Sequence, residues 1–500
     1  RAELVFDVRE STNGLYDRIL VSAFWVPELE PRGPGVNAEQ FDLMAEAGID
    51  NIQNVSTNNL QDRDTNMLMA RLAAERGMLL NVCDRTFKNF ETLNKALIEQ
   101  IVDNYADVPG VGGFYILDEP DDLSLYADTI RYFKELAPDL YMHINASPFM
   151  TEASCRKFAD AVTNNGADPE LLDYIMFDVY PFAGSHELGN RSINYSYMLN
   201  LMEVARRVGL DYDVKTAQYL QTAGGFRPGT DGVNEDELRY QIYVSLAYGF
   251  KQLSYFTWST PFQRSEPFTH AVLDLDGNPL PIYEGVKRLN AEIHALSDVV
   301  YPLNAVEVYF TGTNLYGQKA IPDTFFAQPA AKDDMVYSHM VDKYDGTEYL
   351  MIVNNSIKNP VTHTVKLDAD ILYLSEVSHE DGSFSRVELS GSDNSVTLNF
   401  LPGGGRLFRL EYAEVGVPSA PQNLTVTPGD GQATLTLEAP ADDGGAEITG
   451  YEVSTDGTTW VPANGDLSHT FTSLTNGMTY TLYVRAINSA GEGDAATVTV

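Results

Sequence analysis

Over its first 300 residues the chain repeats one alternation eight times: a short β-rich apolar run, then an amphipathic helical stretch. The runs fall at 19–25, 49–55, 78–83, 113–117, 141–145, 174–179, 213–219 and 253–258. Between them stand helical patterns such as AEQFDLMAEA (38–47), NMLMARLAAER (66–76) and ELRYQIYVSLAY (237–248). A strand followed by a crossover helix pairs in parallel with the next strand, so this pattern predicts a parallel α/β fold. Gly48 and Gly77 follow two of the helices, where a left-handed C-terminal turn wants glycine. Eight such units, spaced by roughly 30–40 residues, close naturally into a (β/α)8 TIM barrel. A doubly wound open sheet is the alternative, but no G-x-G-x-x-G follows the first strand to support its dinucleotide-binding version.

The eighth helix, at 283–297, ends a barrel domain expected to span 1–300. From 301 to 413 the text changes to alternating strands with turn signals (VEVYF, EYLMIVNNS, HTVKL, SVTLNF, RLFRLEY), which predicts a β-sandwich. VGVPSAP (415–421) is a Pro/Gly/Ser linker into a second all-β sandwich at 418–500. That last stretch resembles a fibronectin type III module through PSAPQNLTV, ITGYEVS, LTNGMTYTLYVRAIN and the closing NSAGEG. One departure stands out: Leu, in LTLEA, takes the place of the usual buried Trp of the second strand. In bacteria such modules are typically appended to extracellular polysaccharide-degrading enzymes, and an extracellular or cell-surface location is expected on that ground. The opening at Arg1, with no apolar leader, reads as a mature or trimmed form.

Composition excludes several function classes. Lys plus Arg is 33 against 71 Asp plus Glu, a net charge of −38, which repels nucleic acid and anionic lipid. Cys83 and Cys155 alone make no disulfide scaffold and no metal-site spacing; with scattered His and no H-E-x-x-H, neither metal nor cofactor is expected. No run of about 18 apolar residues offers a membrane span.

The chemistry concentrates at the fourth strand, GGFYILDEP (112–120), an apolar run ending in two carboxylates before a proline stops it. Strand C-termini form the floor of a barrel's active site, so Asp118 and Glu119 are placed where reaction occurs. Crowded carboxylates raise at least one pKa, as a general acid near neutrality requires. The bland alternative is a helix-capping Asp118 and a solvated Glu119.

The motif resembles that of the large clan of retaining barrel glycosidases, whose acid/base sits after strand four in an Asn-Glu-Pro-like sequence; here Asp118 replaces the Asn. The segments 237–258 and 273–290 look like the last helices and strand of β-galactosidase-like members. The resemblance implies a hydrolase of O-glycosyl bonds with Glu119 as acid/base, acting on an oligosaccharide, polysaccharide or glycoprotein glycan. It also implies a nucleophilic Glu at the end of strand seven, where DVKTAQYLQT offers Gln218. An amide cannot attack an anomeric carbon. Three explanations compete: Gln218 is a substituted Glu; the nucleophile lies elsewhere, as at Asp178 (IMFDVYPF) or Asp84; or the substrate's 2-acetamido oxygen attacks. Hexosaminidases of that third type carry an adjacent Asp-Glu pair at strand four, Asp orienting the acetamide and Glu acting as acid. This last reading accounts for Asp118 and Gln218 together, and implies an N-acetylhexosaminide substrate.

Trp258 and Trp25, ending strands eight and one, are candidate aromatic platforms for a sugar ring, with rim packing as the alternative. Tyr180 is a candidate hydrogen-bond donor to a carboxylate or acetamide. Asn54 and Asn145 are candidates for sugar hydroxyls, against turn-forming roles, and His143 reads as a core histidine. The rival from another class is a non-catalytic carbohydrate-binding barrel, favoured by Gln218 and disfavoured by the retained Asp118, Glu119 and Asp178.

Overall fold

The computed structural model describes residues 17–25, 33–54, 62–84, 86–87, 90–225, 229–262, 268–412, 415–465 and 467–500. Two compact units divide the chain: one comprises Arg1–Ala369 and Tyr373–Leu410, the other is built on Glu411–Val500.

The first unit opens with eight parallel strands: β1 Leu20–Phe24, β2 Asn51–Gln53, β3 Leu79–Val82, β4 Val111–Asp118, β5 Tyr141–Asn145, β6 Tyr174–Phe177, β7 Lys215–Gln221 and β8 Gln252–Phe256. Their order is β5-β4-β3-β2-β1-β8-β7-β6. The Ala146–Phe177 bridge joins β5 to β6 and closes the ring. Helices α1 Ala38–Glu46, α2 Arg63–Ala74, α3 Lys95–Tyr105, α4 Ala127–Leu136, α5 Glu152–Val162, α6 Tyr195–Tyr212, α7 Glu235–Ala247 and α8 Ile282–Val300 alternate with them. This is the (β/α)8 barrel expected from the alternation. The second strand was expected to reach Val55, which lies outside the described residues. Gly48 and Gly77 adopt φ of +73° and +71° at the ends of α1 and α2, where a Cβ would be strained.

Polar side chains fill the barrel's middle. Gln252 donates to Ser22 (2.8 Å), Ser254 to Gln53 (2.6 Å) and Tyr141 to Gln252 (3.0 Å). Each bond offsets the desolvation of its partners, so a polar interior is tolerated because it is paired. Above these groups lies an aromatic layer in which Phe24 packs on Tyr219 (4.9 Å) and Phe256 (5.3 Å).

Antiparallel strands follow in the same unit. A six-stranded sheet runs in the order Leu303–Phe310, Met335–Asp342, Glu348–Asn354, Gly405–Tyr412, Ile371–Val377, Phe384–Glu388, and a three-stranded sheet joins Ala327–Pro329, Val361–Leu367 and Ser395–Phe400. This sandwich covers α7. Every residue of that helix from Glu237 to Ala247 is buried, whereas a helix on the barrel surface buries one stripe. Tyr240 donates to Asn355 (2.8 Å), and Tyr243 stacks on His379 (5.3 Å).

In the second unit, Gln422–Gly429, Gln432–Glu438 and Ser468–Thr472 form one sheet; Val461–Pro462, Gly450–Ser454, Thr481–Asn488 and Gly491–Thr499 form the other. The core is Ala433, Leu435, Leu437, Val453, Phe471, Leu482 and Val484, so leucines fill the second-strand position. The Tyr480 hydroxyl accepts the Thr475 N–H (3.0 Å), a tyrosine corner.

Candidate active site

The C-terminal ends of β4, β5 and β6 bring three carboxylates together. Asp118 closes β4 and Glu119 follows it with φ of +46°. A left-handed conformation costs a non-glycine residue about 1–3 kcal/mol and persists only where neighbours enforce it. Here the Glu119 N–H donates to the Asn145 carbonyl (3.0 Å) across the β4–β5 pair. The turn breaks strand alternation, so two consecutive carboxylates lie together at the C-terminal end of the barrel.

Asn145 ends β5 and bridges the cluster: its Nδ2 donates to Asp118 Oδ1 and to Asp178 Oδ1, both at 3.0 Å. Asp178, one residue past β6, is buried. Burial first, then the charges of Glu119 and Asp118, and a hydrogen bond shared with Glu119, push the Asp178 carboxyl well above the usual range. Two carboxylates in hydrogen-bond contact must share a proton. Water reaches Asp118, yet the protein packed around the floor still raises its carboxyl; Asn145 and Tyr115 pull it back. The buried Tyr115 hydroxyl faces Asp118 without a hydrogen bond of good geometry.

Aromatic side chains gather at the same end of the barrel. Trp25, with φ of +70°, is half-buried and meets Phe256 (6.3 Å) and Phe268 (6.1 Å) edge-on. Tyr180 packs 4.7 Å from Phe256, and burial and the nearby Asp178 raise its hydroxyl. Tyr197 of α6, which the sequence did not single out, donates to the Pro148 carbonyl (2.7 Å) and feels Asp178 and Glu119. Tyr219 meets His143 Nε2 at 3.2 Å, and burial alone holds His143 down to about 3, a neutral core ring.

Four candidates lie elsewhere. Gln218 does not end its strand: β7 runs on to Gln221, and the Gln218 side chain points out of the barrel, donating to Ser245 of α7 (2.5 Å). Alternation explains this, since Tyr219 and Gln221 take the inner face. Gln221, the residue at the strand end, is also an amide; its Oε1 accepts the Phe182 N–H (2.9 Å) and its Nε2 donates to the Phe182 and Ala223 carbonyls. Trp258 is fully buried and packs on Tyr283 of α8 (6.2 Å), so its ring faces the helices rather than a ligand. Asn54 donates to Asn66 of α2 (2.8 Å), anchoring a helix. Asp84 accepts from Thr86 N (2.9 Å) and from the Tyr105 hydroxyl of α3, which ties it into a turn. Among the described residues, no His, Cys, Asp and Glu side chains converge in a metal-ligating arrangement, and no helix is long and apolar enough to cross a membrane.

The chain is similar in structure to a polyextremophilic β-galactosidase from the Antarctic haloarchaeon Halorubrum lacusprofundi, with TM-score 0.41, 14% identity, and coverage of 55% of this chain and 58% of that one. It is also similar to a β-galactosidase from the psychrophilic Marinomonas ef1, with TM-score 0.41, 11% identity, and coverage of 55% and 60%. A glycoside hydrolase family 5 mannosidase from Rhizomucor miehei matches with TM-score 0.41, 11% identity, and coverage of 56% and 93%. The match thus spans less than two thirds of either β-galactosidase. Residues 419–500 match the family model of the fibronectin type III domain, and that stretch of the chain is accordingly a fibronectin type III domain.

Proposed function

We propose that the chain is a retaining glycoside hydrolase acting on extracellular glycans, with Glu119 as acid/base and Asp178 as the second carboxylate. The observation that carries this reading is the convergence of Glu119 and Asp178 at the C-terminal mouth of a closed barrel, close enough that Glu119 helps raise the Asp178 carboxyl. Crowding keeps the two carboxyls from ionising together easily, and a proton carried by Glu119 while Asp178 is ionised is the one a leaving glycosidic oxygen needs. Inversion needs carboxyls about 6.5–9.5 Å apart with a water between them; retention needs about 5–5.5 Å, the nearer of the two to carboxyls this close. Asp178 then attacks the anomeric carbon while Glu119 protonates the leaving oxygen, and water entering on the Glu119 side releases the sugar. Trp25 and Tyr180 flank the ring. The appended fibronectin type III domain supports the extracellular assignment.

A second reading has its own support. Asn145 holds Asp118 and Asp178 with one amide, beside the Tyr180 hydroxyl, an arrangement suited to orienting a substrate's 2-acetamido group. Hydrolysis of an N-acetylhexosaminide assisted by that group also retains configuration. With Gln218 on the outer face, this reading loses one of its two original supports. Asp178→Gly with azide separates the two: a β-linked substrate should yield an α-glycosyl azide. Recovery of no azide adduct from any substrate, together with activity confined to 2-acetamido sugars, would overturn the nucleophile assignment in favour of substrate assistance.

A further inference from the structure

At the opposite end of the barrel, where β7 and β8 begin, lies a cavity of about 90 Å³. Lys215, Lys251, Lys343, Tyr301, Asn304 and Asp213 are among its lining residues. Cations elsewhere in this acidic unit generally sit against carboxylates, as Arg76 does on Asp42 (2.7 Å) and Lys134 on Asp173 (2.6 Å). These three lysines form no ion pair among the described residues. Lys251 is 5% exposed and donates to the Val300 and Leu303 carbonyls (2.8 and 2.6 Å), which accounts for two of its three N–H bonds. Lys215 donates to the Tyr301 hydroxyl (3.2 Å) and lies over the Tyr174 and Tyr301 rings (5.2 and 5.6 Å). Lys343 is exposed at the rim.

No nearby carboxylate forms an ion pair with the cluster among the described residues. Asp213 lines the cavity without pairing to a lysine, and Asp173, bound to Lys134, and Asp17 act on Lys215 through their charge without an ion pair among the described residues. Arg206, also on the wall, is committed to Glu203 (2.7 Å) and to the Ala305 carbonyl (2.8 Å). Burial, then repulsion from Lys343 and Lys215, holds the Lys251 ammonium down to about 7. Like charges gathered in a partly buried concavity repel one another, and an anion among them relieves that repulsion.

We propose that this cavity binds one small tetrahedral oxyanion, a sulfate or phosphate group, held by Lys215 and Lys343 with Lys251 beneath. The source is either the free inorganic ion or an ester on a sugar whose ring stays outside the mouth. Thermal unfolding of the full chain in sodium sulfate, sodium phosphate or sodium chloride at matched ionic strength tests it. A saturable rise of about 2 °C or more is expected with the oxyanions over chloride. The rise should vanish in Lys343→Ala and in Lys215→Met, and persist in Lys157→Ala, which removes a lysine paired with Asp122. Saturation by a sulfated monosaccharide at lower concentration than by inorganic sulfate assigns the ester; the reverse assigns the free ion. Equal midpoints in all three salts, or an oxyanion-specific rise surviving Lys343→Ala, would overturn the proposal. Because Lys343 is exposed, that variant is expected to fold even if Lys215→Met does not.

Discussion

Replacing Asn145 by Leu tests how the carboxylate cluster is held. The substitution keeps the volume while removing the one donor that serves both Asp118 and Asp178 at 3.0 Å. A hydrogen bond to a charged group contributes about 1.5–3 kcal/mol, against about 0.5–1.5 kcal/mol to a neutral one. The pH-dependent part is that difference, about 1 kcal/mol for a carboxyl that ionises between the two pH values; Asp178, held well above the usual range, counts only as far as it ionises, and the bond to solvent-reached Asp118 is discounted. The folded-state carboxyls of Asp178 and Asp118 already stand above their unfolded values, burial being the main cause. Such groups favour the folded state below the unfolded pKa and lose that contribution as pH rises through the folded one. Removing the amide raises both carboxyls further, so the variant should lose more at pH 8 than at pH 4, by up to about 1 kcal/mol. Urea unfolding of parent and variant at both pH values reads the difference, with the pH-independent packing change cancelling. An equal loss at pH 4 and pH 8, or a larger loss at pH 4, would refute the reasoning.

Gln218→Glu puts a carboxylate against Ser245 on the buried outer face of β7, so it should lower stability by about 2 kcal/mol or more at neutral pH and confer no glycosidase gain on any sugar; paired melting and activity assays check this, and a large activation would place the strand-seven residue in the site after all. Glu237 is fully buried and holds Arg191 through two 2.8 Å bonds, beneath the Phe182–Ala183/Ser192–Ile193 hairpin that follows Tyr180. Glu237→Gln should cost about 3–5 kcal/mol and speed hydrogen exchange across 182–193 before the rest of the barrel, since it leaves Arg191 charged and unpaired.

The barrel was legible because every strand-helix unit carries its own period, and the fourth strand because GGFYILDEP sets an apolar run hard against two acids. The end of strand seven was not. Asp213, read as its first residue, is the left-handed cap of α6 at φ +52°, so the strand starts two residues later and runs past Gln218 to Gln221. KTAQYLQ has no apolar alternation to mark its faces, and an odd offset moves a side chain from the inner face to the outer. Trp258 follows β8 by two residues, after the chain has turned toward α8, and Asn54 is drawn to Asn66 by a helix that local sequence does not reveal as its neighbour. The bridging position of Asn145 depends on β5 lying between β4 and β6, a consequence of closure that no single segment contains. Tyr197 comes from α6, outside the strand ends on which the sequence reading concentrated.

The most direct measurement of the Glu119 assignment compares Glu119→Gln with the parent on two substrates of one sugar, one with a poor alkyl leaving group and one with an activated aryl group. Protonation matters only for the poor leaving group. The variant is therefore expected to lose several orders of magnitude in kcat/KM on the alkyl glycoside and far less in the glycosylation of the aryl glycoside, with an unchanged fold. Equal losses on both, or no loss on either, would contradict a barrel glycosidase with Glu119 as its acid/base.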